Sequence, residues 1–86
     1  MKIYLIKQSK NTGYDTYDSA IVCAEDETEA KRIIPFYEEN NSIHYIGDEE
    51  YSYDWVTDVN DVTCIEIGEA NNNQTKGVIL ASFNAG

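Results

Sequence analysis

GYDTYDSAIVCAEDETEAKRIIP, residues 13–35, decides the fold, because it joins a strand pattern directly to a helix pattern. The run 20–24 is short, apolar and β-branched, and polar turn residues precede it, which is typical of a strand. Asp26 can accept a hydrogen bond from the backbone three residues on, and Glu29 can reach back, as in a variant of the capping box. Pro35 disfavours helix at the residue before it. The stretch therefore predicts a strand followed by a helix.

The predicted helix has an apolar face and a favourable order of charges. Ala30, Ile33 and Ile34 recur at helical spacing on one side. Acidic residues open the helix, and Lys31 and Arg32 fall in its last turn, so both ends suit the helix dipole. We expect the apolar face to pack on a sheet.

Strand patterns lie on both sides of the helix. Residues 2–9 carry apolar groups on both faces, which indicates a well-covered strand, and a turn at Gly13 with positive φ joins them to 20–24 as a wide hairpin. Residues 62–67 and 77–83 predict a second antiparallel hairpin across an Asn-rich linker. The predicted fold class is α+β: a small antiparallel sheet of about four strands in the order β-β-α-insert-β-β, with one main helix on one face.

The chain is short enough to form one domain, 1–86, in which 36–61 is an acidic and aromatic insert. Within the insert, 43–46 predicts a short strand. Residues 54–61 have a helical rhythm, because Trp55, Val59 and Val62 recur at steps of four and three. A second short helix is therefore an additional option.

The charge of the chain is strongly one-sided. Sixteen acids against six bases give a formal net charge of −10, and no Lys or Arg occurs from Ile33 to Thr75. Such a surface repels nucleic acid and suits a basic partner, whereas the alternative is a solvated acidic face that only maintains solubility. The stretch without bases carries ten carboxylates: Glu38, Glu39, Asp48, Glu49, Glu50, Asp54, Asp58, Asp61, Glu66 and Glu69.

A row of carboxylates and a cluster of aromatic residues make this insert a candidate interface. If 54–61 is helical, Asp54, Asp58 and Asp61 share one face at a spacing of about 5–6 Å. Phosphates along a DNA strand recur at a broadly comparable distance, so the row could occupy a Lys/Arg groove built for nucleic acid. Tyr and Trp anchor interfaces, although they could instead cover a small core. The interleaved aromatic residues are Tyr37, Tyr45, Tyr51, Tyr53 and Trp55.

The loop 13–19 is an alternative site. Its Asp15, Thr16, Asp18 and Ser19 could bind a metal or a polar ligand, but local capping of the backbone is the favoured interpretation. Together with 82–84 the loop could form a pocket for a small molecule or nucleotide, across a dimer in one version. A nucleotide would need basic residues to converge there, and the candidates are Lys2, Lys7, Lys10 and Lys76.

The sequence predicts no catalytic residue, no cofactor and no metal site. His44 is the only histidine, and neither a phosphate loop nor a nucleophile elbow occurs. Cys23 and Cys64 lie in apolar runs and are interpreted as small buried hydrophobes in a reducing compartment, with a bridge between two strands as the alternative. Without a signal peptide or an apolar span, we expect a soluble, cytoplasmic protein that is not an enzyme.

Two segments, GYDTYDSAIVCAEDETEAKRI at 13–33 and GVILASFNAG at 77–86, resemble a family of small uncharacterised proteins from phage, prophage and bacterial genomes. They cover roughly a third of the chain. The chain departs from the family pattern at Ile34, where the family has a His before Pro. The resemblance implies no activity, and it suggests a host-takeover or counter-defence role only by association.

The leading hypothesis is a non-enzymatic, acidic, phage-type protein that inhibits a host nucleic-acid-handling or defence protein by binding its basic surface. Anti-CRISPR-like and anti-restriction proteins are examples of this class. It would contact neither nucleic acid nor membrane directly. A homo-oligomer is compatible with this hypothesis. The alternatives are a small-molecule or nucleotide-sequestering protein and a minor structural or assembly protein. The predicted partner-binding residues are Glu38, Glu39, Asp48, Glu49, Glu50, Tyr51, Tyr53, Asp54, Trp55, Asp58 and Asp61.

Overall fold

The computed structural model describes residues 1–13, 15–35, 43–47 and 55–84, which form a strand-rich α+β fold. The predicted combination of a four-stranded antiparallel sheet with one α-helix is confirmed among these residues. The elements in chain order are β1 (Lys2–Lys7), β2 (Thr16–Ala24), α1 (Glu27–Arg32), β3 (Ile33–Ile34), β4 (His44–Tyr45), a 3-10 turn (Val59–Asp61), β5 (Thr63–Glu69) and β6 (Gly77–Asn84).

The four long strands pair in the order β5-β1-β2-β6, and every pair is antiparallel. The predicted hairpin of β1 with β2 is confirmed. The predicted hairpin of 62–67 with 77–83 is wrong, because β5 and β6 lie at opposite edges of the sheet. The physical reason is burial: the core-facing residues of β1 and β2, such as Ile6 and Val22, are fully buried, whereas β5 and β6 contribute side chains that are only partly buried, so the first two strands take the central positions.

The helix begins as its capping residues predict. The side chain of Asp26 accepts a hydrogen bond from the Glu29 backbone N–H at 2.8 Å. Glu29 reaches back to the backbone N–H of Glu25 at 2.8 Å, one residue before the cap. The first bond satisfies a backbone donor that a helix start leaves open, and the second ties the residue before the cap to the first turn.

The helix ends earlier than the sequence predicts. Ile33 and Ile34, expected on its apolar face, instead form β3 and pair with Tyr45 and His44 of β4. β-Branched residues favour extended backbone, and Pro35 restricts the residue before it to the same region. The predicted strand at 43–46 is confirmed in the shorter form of β4.

The core lies between the sheet and the layer that holds α1. Alternate residues of the central strands face it, since Tyr4 lies opposite Val22 and Ile6 opposite Ala20. The other buried members of the core come from the end of β2, from α1 and β3, and from the stretches beside β4 and β5: Ala24, Ala30, Ile33, Ile34, Ile46, Trp55, Val56 and Val62.

Candidate functional site

The two acid-rich segments of the insert, 36–42 and 48–54, lie outside the described residues, but the described chain fixes their ends. Segment 36–42 joins β3 to β4, which are paired with each other. Segment 48–54 joins Gly47 to Trp55. Pro35 and Trp55 are fully buried, and Ile46 is 8% exposed, so three of the four attachment points belong to or adjoin the core. The described residues next to both segments are therefore part of one packed layer.

Most of the predicted partner-binding residues belong to these segments and lie outside the described residues. They are Glu38, Glu39, Asp48, Glu49, Glu50, Tyr51, Tyr53 and Asp54, together with Tyr37 of the aromatic cluster. Their role stays a prediction.

Trp55 does not have the surface position that an interface anchor needs. It is 1% exposed and packs in the core cluster with residues of β1 and β2. The prediction of Trp55 as a partner-binding residue is therefore corrected to a core role. Its apolar ring has more to gain from the core than from the surface, because large aromatic side chains dominate the burial of a small domain.

Asp58 and Asp61 do not form a helical row. Within 55–61 the only helical element is the 3-10 turn, so the prediction of a helix over these residues is wrong. Asp58 caps this turn through a 2.9 Å bond from the Asn60 N–H. Asp61 is half-buried and lies 3.8 Å from the Lys10 Nζ. The cation is supplied by the β1–β2 loop, which is distant in sequence, and it partly relieves the charge of Asp61.

A buried glutamine that the sequence analysis did not single out organises the loop beside this turn. The Gln8 amide donates to the backbone carbonyls of Asn11 at 2.7 Å and Tyr17 at 2.8 Å. Its oxygen accepts from the N–H groups of Lys10 and Asn11. The Asn11 side chain then donates to the Trp55 carbonyl at 3.3 Å. Gln8 thereby braces the loop that holds the end of segment 48–54. Its only sequence signal is a polar residue in register with Tyr4 and Ile6.

We expect Gln8→Met to lower the free energy of unfolding by about 1–3 kcal/mol, because partly buried backbone groups lose their hydrogen bonds. Urea unfolding measures the change. Gln74→Met is the matched control, since the Gln74 side chain makes one 3.3 Å bond to Thr75 and should cost only a few tenths of a kcal/mol, about the ±0.5 of a surface change. Equal losses in the two variants would contradict the bracing role.

Two clefts open beside this loop. One of about 380 Å³ is lined by Lys10, Asn11, Trp55, Val56, Thr57 and Asp61. The other, of about 230 Å³, is lined by Lys7, Gln8, Ser9, Asp61 and Thr63. Each cleft therefore combines one lysine with the carboxylate of Asp61, which lines both of them.

The segments 13–19 and 82–84, predicted as the walls of an alternative pocket, form paired strand ends instead. The two segments do meet, but as paired ends of β2 and β6, with Thr16 opposite Asn84 and Ser19 opposite Ser82. The Asp15 N–H donates to the Asn84 carbonyl, and Thr16 Oγ1 donates to the Gly13 carbonyl at 2.7 Å. These bonds match the local-capping interpretation. The positive φ expected at Gly13 occurs at Asp15 instead, at 58°.

The four lysines proposed for that pocket do not converge. Lys7 is opposite Ser19, whereas Lys2 is opposite Ala24 at the other end of the strand pair. The two lysines are five residue steps apart along the strand, which is about 17 Å. Lys76 precedes Gly77, which pairs with Cys23, so it lies at the Lys2 end. The convergence prediction is therefore wrong.

A partly buried ion pair ties the helix to the strands. Lys76 Nζ lies 3.0 Å from Glu29 Oε2, and the Tyr45 hydroxyl donates to the same oxygen at 3.2 Å. Burial alone would raise the pKa of the Glu29 carboxyl, but hydrogen bonds from the Glu25 N–H, Lys76 and Tyr45 outweigh it and lower that pKa. The carboxylate is therefore held charged as part of the fold, and these groups are engaged in structure.

The two cysteines are free thiols. Cys23 is fully buried, as predicted, whereas Cys64 is half-buried, and burial raises the pKa of Cys64 to about 11. Cys23 pairs with Ile3 and Cys64 pairs with Ile6, so the two side chains belong to opposite faces of the sheet. This placement excludes the alternative of a bridge between them.

No protein-family model matches the chain, and no curated protein or solved structure shows significant similarity to it. The resemblance to the phage and bacterial family therefore stays a prediction. Among the described residues, no cluster of three or more His, Cys, Asp or Glu is placed to hold a metal ion. The same residues contain no helix with the length and apolar character needed to cross a membrane.

Proposed function

We propose that the protein is a non-enzymatic, acidic binding protein that docks on a basic protein surface, and that the carboxylates of segments 36–42 and 48–54 form the contact. The target class is a host protein that handles nucleic acid or defends against foreign DNA. This target follows from charge: a surface built to hold phosphates attracts carboxylates in the same way.

The distribution of charge supports the proposal. Three of the six bases are already occupied by ion pairs of the described chain, namely Lys2 with Glu66, Lys10 with Asp61 and Lys76 with Glu29. All six bases lie outside the two segments, whereas six of the sixteen acids lie inside them. The excess of negative charge is therefore concentrated on two short stretches of chain.

The observation that carries the proposal is that described residues flanking both segments, Ile34, Ile46 and Trp55, belong to one core cluster. The β3–β4 pair closes the first segment, and buried Trp55, held by Asn11, ends the second. Because the fold holds these flanking residues in place, part of the entropy cost of docking is already met before binding.

Capture from a lysate of the host bacterium tests the proposal. The wild-type protein should retain a basic nucleic-acid-binding protein at low salt and release it at high salt, since charge steering is screened within about 8 Å at physiological ionic strength. Added duplex DNA should compete for the same surface.

A pair of matched variants makes the capture specific. Neutralising Glu38, Glu39, Glu49 and Glu50 to Gln should abolish capture. The control neutralises four exposed described acids, Asp18, Glu25, Glu27 and Glu69, to their amides and alters the net charge equally. Equal loss in both variants would show a general charge effect, and capture that survives the first change would contradict the proposal.

A further inference from the structure

The sheet has a second face, turned away from α1, that stays apolar. The register places four aliphatic residues side by side, one from each strand: Leu5 lies opposite both Ile65 and Ile21, and Ile21 lies opposite Leu80. Ile65 is 57% exposed and Leu80 is 64% exposed. The row continues into neighbouring aliphatic residues, and we call the whole surface the open face: Ile3, Leu5, Ile21, Ile65, Ile67, Ile79 and Leu80.

The open face avoids the charge that dominates the rest of the chain. Among the charged residues that the described strand register pairs, only Lys7 lies on the same side of the sheet as Leu5. Glu66 lies opposite Tyr4 on the other side and pairs with Lys2. Exposed aliphatic residues gathered on one nearly uncharged surface indicate an interaction site, because monomers rarely expose a large contiguous apolar patch.

We propose that the open face packs against the open face of a second copy of this chain, giving a two-fold symmetric β-sandwich. An in-plane two-fold axis at the centre of the sheet lays the row of Leu5, Ile21, Ile65 and Leu80 over its own copy. Such an isologous contact needs a self-complementary surface, and aligned sheets in sandwiches pack through inner faces of this kind.

Charge and size both favour a second copy as the occupant. Two chains of net charge −10 repel, and the open face is where they can meet without opposing carboxylates. Four strands of about seven residues cover about 19 Å by 24 Å, so two copies bury on the order of 900 Å². This is close to the roughly 1,000 Å² that a specific interface should clear, and it predicts a reversible dimer.

The edge strands of the sheet are less suited than the open face to pairing with a second copy of the chain. β5 carries a register shift at Ile67, and β6 carries one at Ile79. Bulges of this kind protect an edge from pairing with another strand. The face-to-face dimer also leaves the layer containing Trp55 and β3 on its outer sides. The dimer does not depend on the proposed partner.

Sedimentation velocity over a hundredfold concentration range tests the dimer. Mass should rise from the monomer value of 9.8 kDa towards twice that value. Because like net charge opposes association, added salt should strengthen the dimer, the opposite of its effect on docking to a basic partner. A wild-type protein that stays monomeric at every concentration and salt overturns the proposal.

Substitutions on the two faces of the sheet test whether the dimer contact lies on the open face. Leu80→Lys and Ile65→Lys should each raise the dimer dissociation constant on the order of tenfold or more, because each puts a charge into the buried centre. Phe83→Lys is the matched control: Phe83 is 46% exposed but packs on Tyr17, on the core side of the sheet. All three should keep the wild-type circular dichroism spectrum. A dimer that survives Leu80→Lys and Ile65→Lys, or is lost equally in Phe83→Lys, contradicts the face-to-face contact.

Discussion

Replacing Trp55 with alanine is expected to lower the free energy of unfolding by about 3–5 kcal/mol, because the substitution empties a fully buried aromatic site. Trp55 is 1% exposed and contacts the core cluster. A chain of 86 residues has a total stability of roughly 4–13 kcal/mol. The change therefore removes a large share of the stability, and chemical denaturation should show a much lower midpoint.

Trp55→Phe is the matched control for this prediction. The indole Nε1 has no hydrogen-bond partner among the described residues, so phenylalanine removes a buried donor and leaves most of the ring volume. We expect a loss of no more than about 1.5 kcal/mol, as for other swaps that largely conserve volume. If Trp55→Ala left stability unchanged and weakened only partner binding, the core assignment would be wrong and the residue would be an interface anchor.

Ile6→Ala is expected to cost about 2–5 kcal/mol, whereas Ile65→Ala should stay within about 0.5 kcal/mol in dilute protein. The two isoleucines lie on the neighbouring strands β1 and β5, so both changes lower β-propensity to a similar degree. They differ in exposure, which is 0% for Ile6 and 57% for Ile65. Urea unfolding at low concentration, where a dimer is absent, measures the difference.

Equal costs at the two positions would show that the open face is buried in the monomer. That result would contradict both the packing described for β5 and the proposal that a second copy covers this face. A larger loss for Ile65→Ala only at high protein concentration would instead support the dimer, because stability then includes association.

Local structure could be predicted from the sequence where the signals are local. The cap at Asp26, the strand at β1 and the strand at β2 depend on neighbouring residues, and each occurs, although β2 begins at Thr16, four residues before the predicted run 20–24. The strand order could not be predicted in this way. The patterns of β5 and β6 are equally compatible with a hairpin and with two opposite edges, and the covering of β1 and β2 decides between them.

The errors at Ile33 and Trp55 have a common physical cause. Periods of three and four residues place apolar groups on a helix face, but the same residues can also be buried by short extended segments. Ile33 pairs with Tyr45, and Trp55 enters the core from an irregular stretch beside Asn11. Long-range contacts override the local rhythm in both cases, and only Pro35, which favours extended backbone at Ile34, gives a local signal.

The candidate site also depends on long-range contacts that the sequence pattern does not reveal. Composition indicates a concentration of negative charge, yet the Lys10–Asp61 pair and the bracing by Gln8 require the folded loop. Asp61 was expected to stand without a nearby cation, and a lysine 51 positions earlier reaches it. Counting charges along the chain cannot detect such a pairing.

Association kinetics with the captured protein test the central claim most directly, since steering by opposite charge acts mainly on the association rate. The variant with Glu38, Glu39, Glu49 and Glu50 changed to Gln should associate on the order of tenfold or more slowly and lose most of its salt dependence. The variant neutralised at Asp18, Glu25, Glu27 and Glu69 should stay close to wild type. Equal association rates for the two variants, or a wild-type rate that salt does not change, would contradict docking through the two acid-rich segments.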